Sequence, residues 1–252
     1  MKPPPFEYHV PDSLDQALQL LRRYGAEAKP LAGGQSLIPA MNFRLARPAV
    51  LIDLNRLNDL AGILEAADGG LAIGAMTRQR AVERSSDVAA RAPLLAETMP
   101  YIAHPPIRNR GTIGGSLAHA DPASELPAVM TALNARFRVR NVDGERWVEA
   151  RQFFLGLFAT ALAPDDLLTE VVIPPPAPRS GFAFQEFARR HGDYALAGVA
   201  VALELDPAGQ CSGASVVLMG VGEGPVTLDA VNRMLVGQAP AEAAFEAAAA
   251  EV

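Results

Sequence analysis

The stretch TIGGSLAHADPASELP, residues 112–127, contains two adjacent glycines, several hydroxyl side chains and no steady hydrophobic period. A second pair, Gly33-Gly34, lies in LAGGQSLIPAMNFR, residues 31–44. Each pair follows a short apolar segment and precedes a serine and a helix-like segment. Glycine lacks a Cβ, so it admits positive φ and lets backbone N–H groups converge on one point. The two loops therefore predict a concave set of donors suited to phosphate oxygens.

Neither glycine loop contains Lys or Arg. A pyrophosphate would therefore rely on main-chain N–H groups, the Gln35 amide, the hydroxyls of Ser36, Thr112 and Ser116, and the positive end of a helix. The G-x-G-x-x-G fingerprint of the Rossmann fold and the phosphate-binding P-loop pattern are both absent from the sequence. An ordinary turn is the alternative interpretation of each loop.

The bulk composition restricts the partners and the chemistry. The 252 residues are 50% hydrophobic, enough for one large domain or two ordinary ones. A net charge of -6 with scattered basic residues argues against nucleic acid. The N-terminus lacks a signal-peptide core, and no apolar run approaches the roughly 18 residues of a membrane helix. We therefore expect a cytoplasmic protein with no transmembrane segment.

Cysteine and histidine usage argues against metal chemistry in this chain. A disulfide needs two thiols and an iron–sulfur cluster needs about four thiolates, whereas the chain has only Cys211. The four histidines are far apart and none has a ligand-type partner at helical spacing. We predict no metal site, so that any redox chemistry would use an organic cofactor.

Helical and strand patterns alternate along the chain. Residues 12–24 form an amphipathic pattern with Asp12 or Ser13 as N-cap and Gly25 as a stop. Helical patterns in 77–103 are interrupted at Pro93 and Pro100, and a hairpin turn is expected at Asp143-Gly144. Further strands are predicted within 28–34, 49–55, 70–76, 136–150, 167–173, 182–190, 195–206 and 213–222, and further helices within 36–45, 124–134, 228–237 and 240–252. The proline segment 174–178 is a predicted linker.

The chain resembles the flavin-binding medium subunit of the molybdenum hydroxylases, the group that includes carbon monoxide dehydrogenase and xanthine dehydrogenase. AGGQSLIPAMNFRLARP, IRNRGTIGGSLAHADPASELP and RRHGDYALAGVAVAL carry the resemblance, which covers nearly the whole chain in order. It implies an α+β fold with a two-lobed FAD-binding domain of the para-cresol methylhydroxylase / vanillyl alcohol oxidase type. That domain would span residues 1–177, with a lobe boundary near 55–60. A small C-terminal α+β flavoprotein domain would follow at 178–252, and we expect it to be truncated because the family usually continues further.

The resemblance also implies a set of FAD-binding residues and no catalytic acid, base or nucleophile. The first contact set is Ala32, Gly33, Gly34, Gln35, Ser36 and Leu37. The second is Ile102, Ala103, Thr112, Gly114, Gly115, Ser116 and Ala118. The remaining predicted contacts are Glu125, Leu168, Gln185, Asp193 and Tyr194. Glu125 stands where relatives often carry Asp, and Gln185 stands where the xanthine enzymes have a flavin-facing Lys.

Several of these residues could have an ordinary structural role instead of binding the cofactor. Leu37, Ile102 and Leu168 suit an ordinary core, Tyr194 suits a cross-strand aromatic contact, and Asp193 suits a turn. Gly34 and Gly115 are both expected at positive φ, so that valine at either position would abolish FAD retention.

The function implied by the resemblance is electron transfer. A molybdenum-binding large subunit would hydroxylate the substrate, a small [2Fe–2S] subunit would carry electrons, and FAD in this chain would pass them to an external acceptor. The complex would be a dimer of heterotrimers, with the molybdenum cofactor and the iron–sulfur clusters in the partners only. Two alternatives stay open: a stand-alone flavin-dependent oxidase or reductase, and a non-catalytic interaction module whose glycine loops are merely turns.

Overall fold

The computed structural model describes residues 2–252 and begins with a small parallel sheet. Its strand order is β1-β3-β2, and both outer strands pair in parallel with the central β3. The strands are β1 (Glu7–His9), β2 (Ala28–Leu31) and β3 (Val50–Asp53), with α1 (Leu14–Tyr24) and α2 (Leu37–Asn42) as the crossover helices. Ser13 caps α1 by accepting a hydrogen bond from the Gln16 N–H. Ala17, Leu18 and Leu21 form the buried face of α1.

The second sheet is antiparallel, with strand order β4-β5-β10-β6-β7. Its strands are β4 (Ile63–Glu65), β5 (Leu71–Gly74), β6 (Arg136–Asn141), β7 (Gly144–Glu149) and β10 (Leu167–Ile173). Six helices join β5 to β6: α3 (Gln79–Arg84), α4 (Ser86–Arg91), α5 (Pro93–Thr98), α6 (Pro105–Arg108), α7 (Ile113–His119) and α8 (Glu125–Ala132). Between β7 and β10 lie α9 (Ala150–Phe153), β8 (Phe154–Gly156) and β9 (Ala159–Thr160).

The third sheet has strand order β11-β12-β13-β14 and is antiparallel. It comprises β11 (Ser180–Ala188), β12 (Ala195–Leu205), β13 (Cys211–Met219) and β14 (Val226–Thr227), followed by α10 (Asp229–Leu235) and α11 (Glu242–Ala250). One face packs on α10 and α11, and the other packs on α5 and α8. All eight residues of α8 are buried. Phe184, Ala200 and Val217 of the third sheet belong to the same core as Val129 of α8 and Phe137 of the second sheet.

The predicted α+β class is confirmed, and the differences are local. Pro93 begins α5 at its first position, where the missing N–H is one that the helix leaves unpaired anyway. The hairpin turn consists of Val142 and Asp143, because Gly144 already pairs with Asn141. The short strands β1, β4, β8, β9 and β14 were not predicted, since segments this short carry almost no period. Within residues 2–252, no helix is both long and apolar enough to cross a bilayer.

Candidate functional site

The first glycine loop connects β2 to α2 and presents a run of unpaired backbone donors. Gly34 has φ +72, a conformation that favours glycine. Among residues 2–252, no acceptor takes a hydrogen bond from the backbone N–H groups of 33–37. The loop lines a cavity of about 430 Å³. Five consecutive amides beside a cavity are the donor arrangement predicted from the sequence for this loop.

Polar side chains from the first sheet and from the segment before α7 form the rest of the cavity wall. Tyr8, Asp53, Asn55 and Arg110 line it together with the glycine loop. Tyr8 donates a hydrogen bond to the Asp53 carboxylate. Although burial alone would raise it, hydrogen bonds from Tyr8 and Asn55 hold the pKa of Asp53 below its ordinary value. Asp53 therefore stays ionised.

Asn55 fixes the first loop in place. Its Nδ2 donates to the Ala32 carbonyl at 2.9 Å, and its Oδ1 accepts from Arg78 Nη2 at 2.6 Å. Arg78 Nη1 also donates to the Arg110 carbonyl. These bonds join the loop, the end of β3 and the segment before α7 into one polar network. Sequence reasoning identified neither Asn55 nor Arg78.

The second glycine pair lies inside α7 and has a different role from the first. Thr112 Oγ1 accepts from the Gly115 N–H at 3.1 Å, and the Gly114 N–H donates to the Ala75 carbonyl at 2.9 Å. The Ser116 N–H donates to the Thr112 carbonyl at 3.2 Å. The prediction that this pair supplies free amides is therefore wrong, as is the prediction of positive φ at Gly115, which is helical.

Close packing explains why glycine stands at these positions. A Cβ on Gly114 would lie 2.4 Å from the Ala75 Cβ, and one on Gly115 would lie 3.3 Å from the Ala32 Cβ. A Cβ on Gly33 would lie 2.5 Å from the Arg110 carbonyl oxygen. The two predicted contact sets, Ala32–Leu37 and Thr112–Ser116, are thus brought together by backbone contact between the loops.

Arg108 holds the backbone of two further predicted residues. Its Nη1 donates to the Ile102 carbonyl at 2.7 Å and the Ala103 carbonyl at 3.0 Å, and its Nε pairs with Glu83 at 2.9 Å. Arg108 is 5% exposed. Ala103 takes a φ of +43, an uncommon conformation for a residue with a side chain. A buried cation therefore fixes this turn.

The predicted residues Asp193 and Tyr194 lie beside that same turn. A Cβ on Gly192, which has φ +87, would lie 2.5 Å from His104 Cε1 and 2.9 Å from the Ala103 carbonyl oxygen. Tyr194 is 71% exposed, and burial of part of the ring, with Asp121 and Glu125 nearby, raises the pKa of its hydroxyl. The loop between β11 and β12 is therefore seated against Ala103 and His104.

The other predicted contacts fall into different environments. Leu168 and Ile102 are buried in the main core, which agrees with their alternative role as ordinary core residues. Ala118 is exposed on α7, and the Ser116 hydroxyl lies 3.3 Å from that of Ser124. Glu125 is 7% exposed. Burial raises the pKa of its carboxyl to about 7, with Glu186 and Asp121 adding to the effect.

Gln185 does not join the other predicted residues. It pairs with Val199, which packs with Val231 and Leu235 of α10 on the far face of the third sheet. Because successive strand residues point to opposite faces, Glu186 lies on the face turned towards α5 and α8. The resemblance implies a flavin contact at Gln185, but this side chain points towards α10 and away from α5 and α8.

Arg110, like Tyr8, Asp53 and Asn55, lines the cavity but was not predicted from the sequence. It is exposed, lines the cavity beside Gly33 and Gly34, and forms no ion pair within residues 2–252. The sequence feature that could have indicated Arg110 is the IRNRGT segment, residues 107–112, in which Arg110 stands two positions before Thr112. Arg110 lies outside both glycine loops in the sequence, and only the fold brings it beside Gly33.

Comparison with known proteins gives consistent matches. The family model described as the FAD binding domain in molybdopterin dehydrogenase matches residues 4–176, and the model described as the CO dehydrogenase flavoprotein C-terminal domain matches 182–252. The chain is 45% identical to the 6-hydroxypseudooxynicotine dehydrogenase complex subunit alpha of Paenarthrobacter nicotinovorans, over 94% of this chain and 79% of that one. It is 42% identical to the carbon monoxide dehydrogenase medium chain of Afipia carboxidovorans, over 99% and 86%.

Solved structures agree with these sequence matches. A carbon monoxide dehydrogenase structure from Hydrogenophaga pseudoflava superimposes with a TM-score of 0.95 at 42% identity, covering 99% of this chain and 86% of that one. Quinoline 2-oxidoreductase from Pseudomonas putida 86 gives a TM-score of 0.92 at 38% identity, covering 99% and 86%. Both identities are high enough for the likeness to extend beyond the fold.

Proposed function

Because the chain belongs to the FAD-binding medium subunits of the molybdenum hydroxylases, we propose that its first glycine loop and Arg110 hold the pyrophosphate of FAD. The chain is an oxidoreductase subunit whose cofactor is FAD, and the molybdenum and iron–sulfur centres of such complexes reside in partner subunits. One observation carries the proposal: the run of unpaired amides at 33–37 beside the cavity.

The residues at the cavity fit a dinucleotide. Unpaired backbone donors suit phosphate oxygens, and the exposed Arg110 guanidinium adds a positive charge at the same wall. The ionised Asp53 carboxylate and the Asn42 amide offer acceptors to hydroxyl groups. FAD, when bound, supplies the redox chemistry. The protein's own residues bind the cofactor, orient it and limit its contact with water.

We further propose the path of the electrons and the assembly. The chain takes electrons from a [2Fe–2S] subunit and passes them to an external acceptor, within a cytoplasmic dimer of heterotrimers that includes a molybdenum-binding large subunit. Cys211 as the single cysteine supports this division, since the thiolates for iron–sulfur clusters must then come from another chain. The names of the relatives, which are dehydrogenase complex subunits and medium chains, support it as well.

The domain division is part of the same proposal. We place the FAD-binding domain at residues 1–177, with its lobe boundary near 55–60, and the C-terminal flavoprotein domain at 178–252. The family matches at 4–176 and 182–252 support the division. The lobe boundary is supported by the turn at Asn58–Leu60, which leads from the first sheet to β4.

Purification from a native expression host tests the function. We expect a yellow preparation in which the chain co-purifies with one larger, molybdenum-containing subunit and one smaller, iron–sulfur subunit. A colourless chain that does not take up added FAD would instead identify an interaction module. A chain that oxidises an organic substrate without any partner would identify a stand-alone oxidase.

Arg110 provides a direct test of the proposed pyrophosphate site. We expect Arg110→Gln to weaken FAD binding about fivefold, the effect of one exposed ion pair, and to reduce the salt dependence of binding. Titration of FAD into the flavin-free chain at two salt concentrations measures both. Arg84→Gln, an exposed position at the end of α3, is the matched control. Equal affinities in the two variants would remove Arg110 from the site.

A further inference from the structure

The turn that ends α2 places two large apolar side chains in water. Phe43 is 65% exposed and Leu45 is 84% exposed. They flank Arg44, and a second cation, Arg47, follows two positions after Leu45. Burial of apolar surface is the main driving force of protein association, and aromatic residues and arginine are enriched at interfaces. Residues 43–47, the α2 turn, therefore have the composition of an interface.

Hydrogen bonds to the end of the helix fix the backbone of the α2 turn. The Leu45 N–H donates to the Ala40 carbonyl and the Arg44 N–H donates to the Met41 carbonyl, both at 2.9 Å. This pair of bonds defines a Schellman motif, in which glycine usually stands at the position of Arg44. Arg44 instead takes φ +62, an uncommon conformation for a residue with a side chain. The chain thus keeps a strained residue where glycine would relieve the strain.

Packing within the chain does not account for these side chains. A Schellman motif is commonly completed by an apolar contact between its last residue and the helix, but Leu45 is too exposed for much of that contact. Arg47 Nε donates to the Arg44 carbonyl at 3.0 Å. The Arg44 guanidinium forms no ion pair within residues 2–252, and neither does that of Arg47. Strain of this kind occurs mainly at functional sites.

The charge around the α2 turn indicates what kind of surface would bind it. Residues 28–52 contain Lys29, Arg44 and Arg47 but no Asp or Glu, although the chain has a net charge of -6. A complementary surface would offer an apolar pocket bordered by carboxylates. A second copy of this chain does not meet that requirement, because a two-fold contact at the turn would bring like cations together. The best occupant is a different protein.

The position of the α2 turn selects among the partner subunits. Ile38, Pro39 and Asn42 of α2 line the cavity that we assign to FAD, and Phe43 follows Asn42 directly. A protein bound to the turn would therefore lie beside the cofactor, on the side of the first glycine loop. Of the two partner subunits, the iron–sulfur subunit is the one that has to come close to FAD in order to reduce it.

We propose that the α2 turn is the docking site of the [2Fe–2S] subunit, with Phe43 and Leu45 in an apolar pocket and Arg44 and Arg47 facing carboxylates at its rim. The inference rests on the proposed function, because it identifies the surface through which electrons reach the cofactor. Loss of the apolar anchors is expected to speed dissociation. Loss of the rim cations is expected to slow association and to reduce its dependence on salt.

Dilution of the purified complex tests the apolar anchors. We expect Phe43→Ser with Leu45→Ser to weaken binding of the iron–sulfur subunit about 30-fold or more, while the chain keeps its FAD. Leu64→Ser on β4, where Leu64 is 71% exposed, is the matched control and should bind the subunit normally. Iron and flavin contents of the fractions measure both. Equal binding in the double variant and the control would overturn the proposal.

Arg44→Gly distinguishes docking from a purely structural role and is informative even if the double variant loses FAD. Glycine relieves the positive φ, so the melting temperature of the full chain without partners should rise by about 2–4 °C. Binding of the iron–sulfur subunit should nevertheless weaken about fivefold at low salt and less at high salt. A lower melting temperature with unchanged binding would identify Arg44 as a structural residue and contradict its docking role.

Other results would assign the α2 turn to a different occupant and refute the proposal. One is a double variant that loses the molybdenum subunit but keeps the iron–sulfur subunit. Another is an unmodified complex that binds vesicles of phosphatidylcholine and phosphatidylserine, with a double variant that does not bind them but keeps the iron–sulfur subunit; the turn would then face a membrane. A chain that purifies with no partner at all would count against the proposed function itself.

Discussion

A Gly34→Val chain is expected to fold but to purify without FAD. Gly34 has φ +72, which a β-branched residue adopts only with strain. Its new Cβ would lie 3.2 Å from Ile38 Cγ1 and 3.3 Å from Leu31 Cδ1, so those side chains have to shift in addition. Loss of two charge-assisted hydrogen bonds of about 1.5–3 kcal/mol each corresponds to a loss of affinity of about 100-fold or more. Flavin content and FAD titration measure it.

Gly209→Val is the control that distinguishes the general cost of valine at positive φ from damage to the FAD site. Gly209 has φ +82, in the turn between β12 and β13, and no atom lies within 4 Å of a Cβ at that position. Both valine variants therefore carry a similar conformational cost, but only Gly34 belongs to the proposed FAD site. Equal flavin content in the two variants would show that the backbone of the first loop is not needed for binding.

Replacement of Arg108 by methionine is expected to give the largest loss of stability. The change removes a cation that is 5% exposed and leaves Glu83, the Ile102 carbonyl and the Ala103 carbonyl without that donor. Breaking a buried pair on one side costs about 3–5 kcal/mol. Denaturant unfolding of the flavin-free chain measures the change in the free energy of unfolding.

Two further variants identify the cause of that loss. Arg108→Met leaves Glu83 paired with Arg80 alone, at 2.7 Å. Adding Glu83→Leu removes the carboxylate that lost its buried partner, so the double variant should recover part of the stability. Arg151→Met breaks an exposed pair with Asp229, 3.6 Å apart, and should cost less than about 1 kcal/mol. A loss as small for Arg108→Met as for Arg151→Met would contradict the role given to the buried cation.

The first glycine loop was predictable from the sequence because its geometry is local. Gly34, the preceding strand and the following helix are neighbours in the chain, and together they produce the free amides. The second pair has the same local appearance. Its close approach is to Ala75, which is distant in sequence. A glycine required by packing and a glycine required by backbone conformation look alike until that contact is known.

The other site predictions were limited because the sequence does not show which way each side chain points in the folded protein. Both Gln185 and Glu186 lie in the predicted strand 182–190, but which of them faces α8 depends on the pairing of β11 with β12. Alternation along β11 is weak because apolar residues occur on both of its faces. Asn55 and Arg78 were missed for a related reason, since their hydrogen bonds join segments that the fold brings together.

The burial of α8 on every side affects how this protein can be divided. The helix packs on β12 and β13 as well as on α5, α7 and α9, so its apolar surface is completed by strands that follow the proline segment 174–178. A fragment ending there would expose that surface to water and tend to aggregate. Recombination between relatives at the prolines would have to preserve the match between α8 and the third sheet. The boundary that is most visible in the sequence is therefore a poor place to cut the chain.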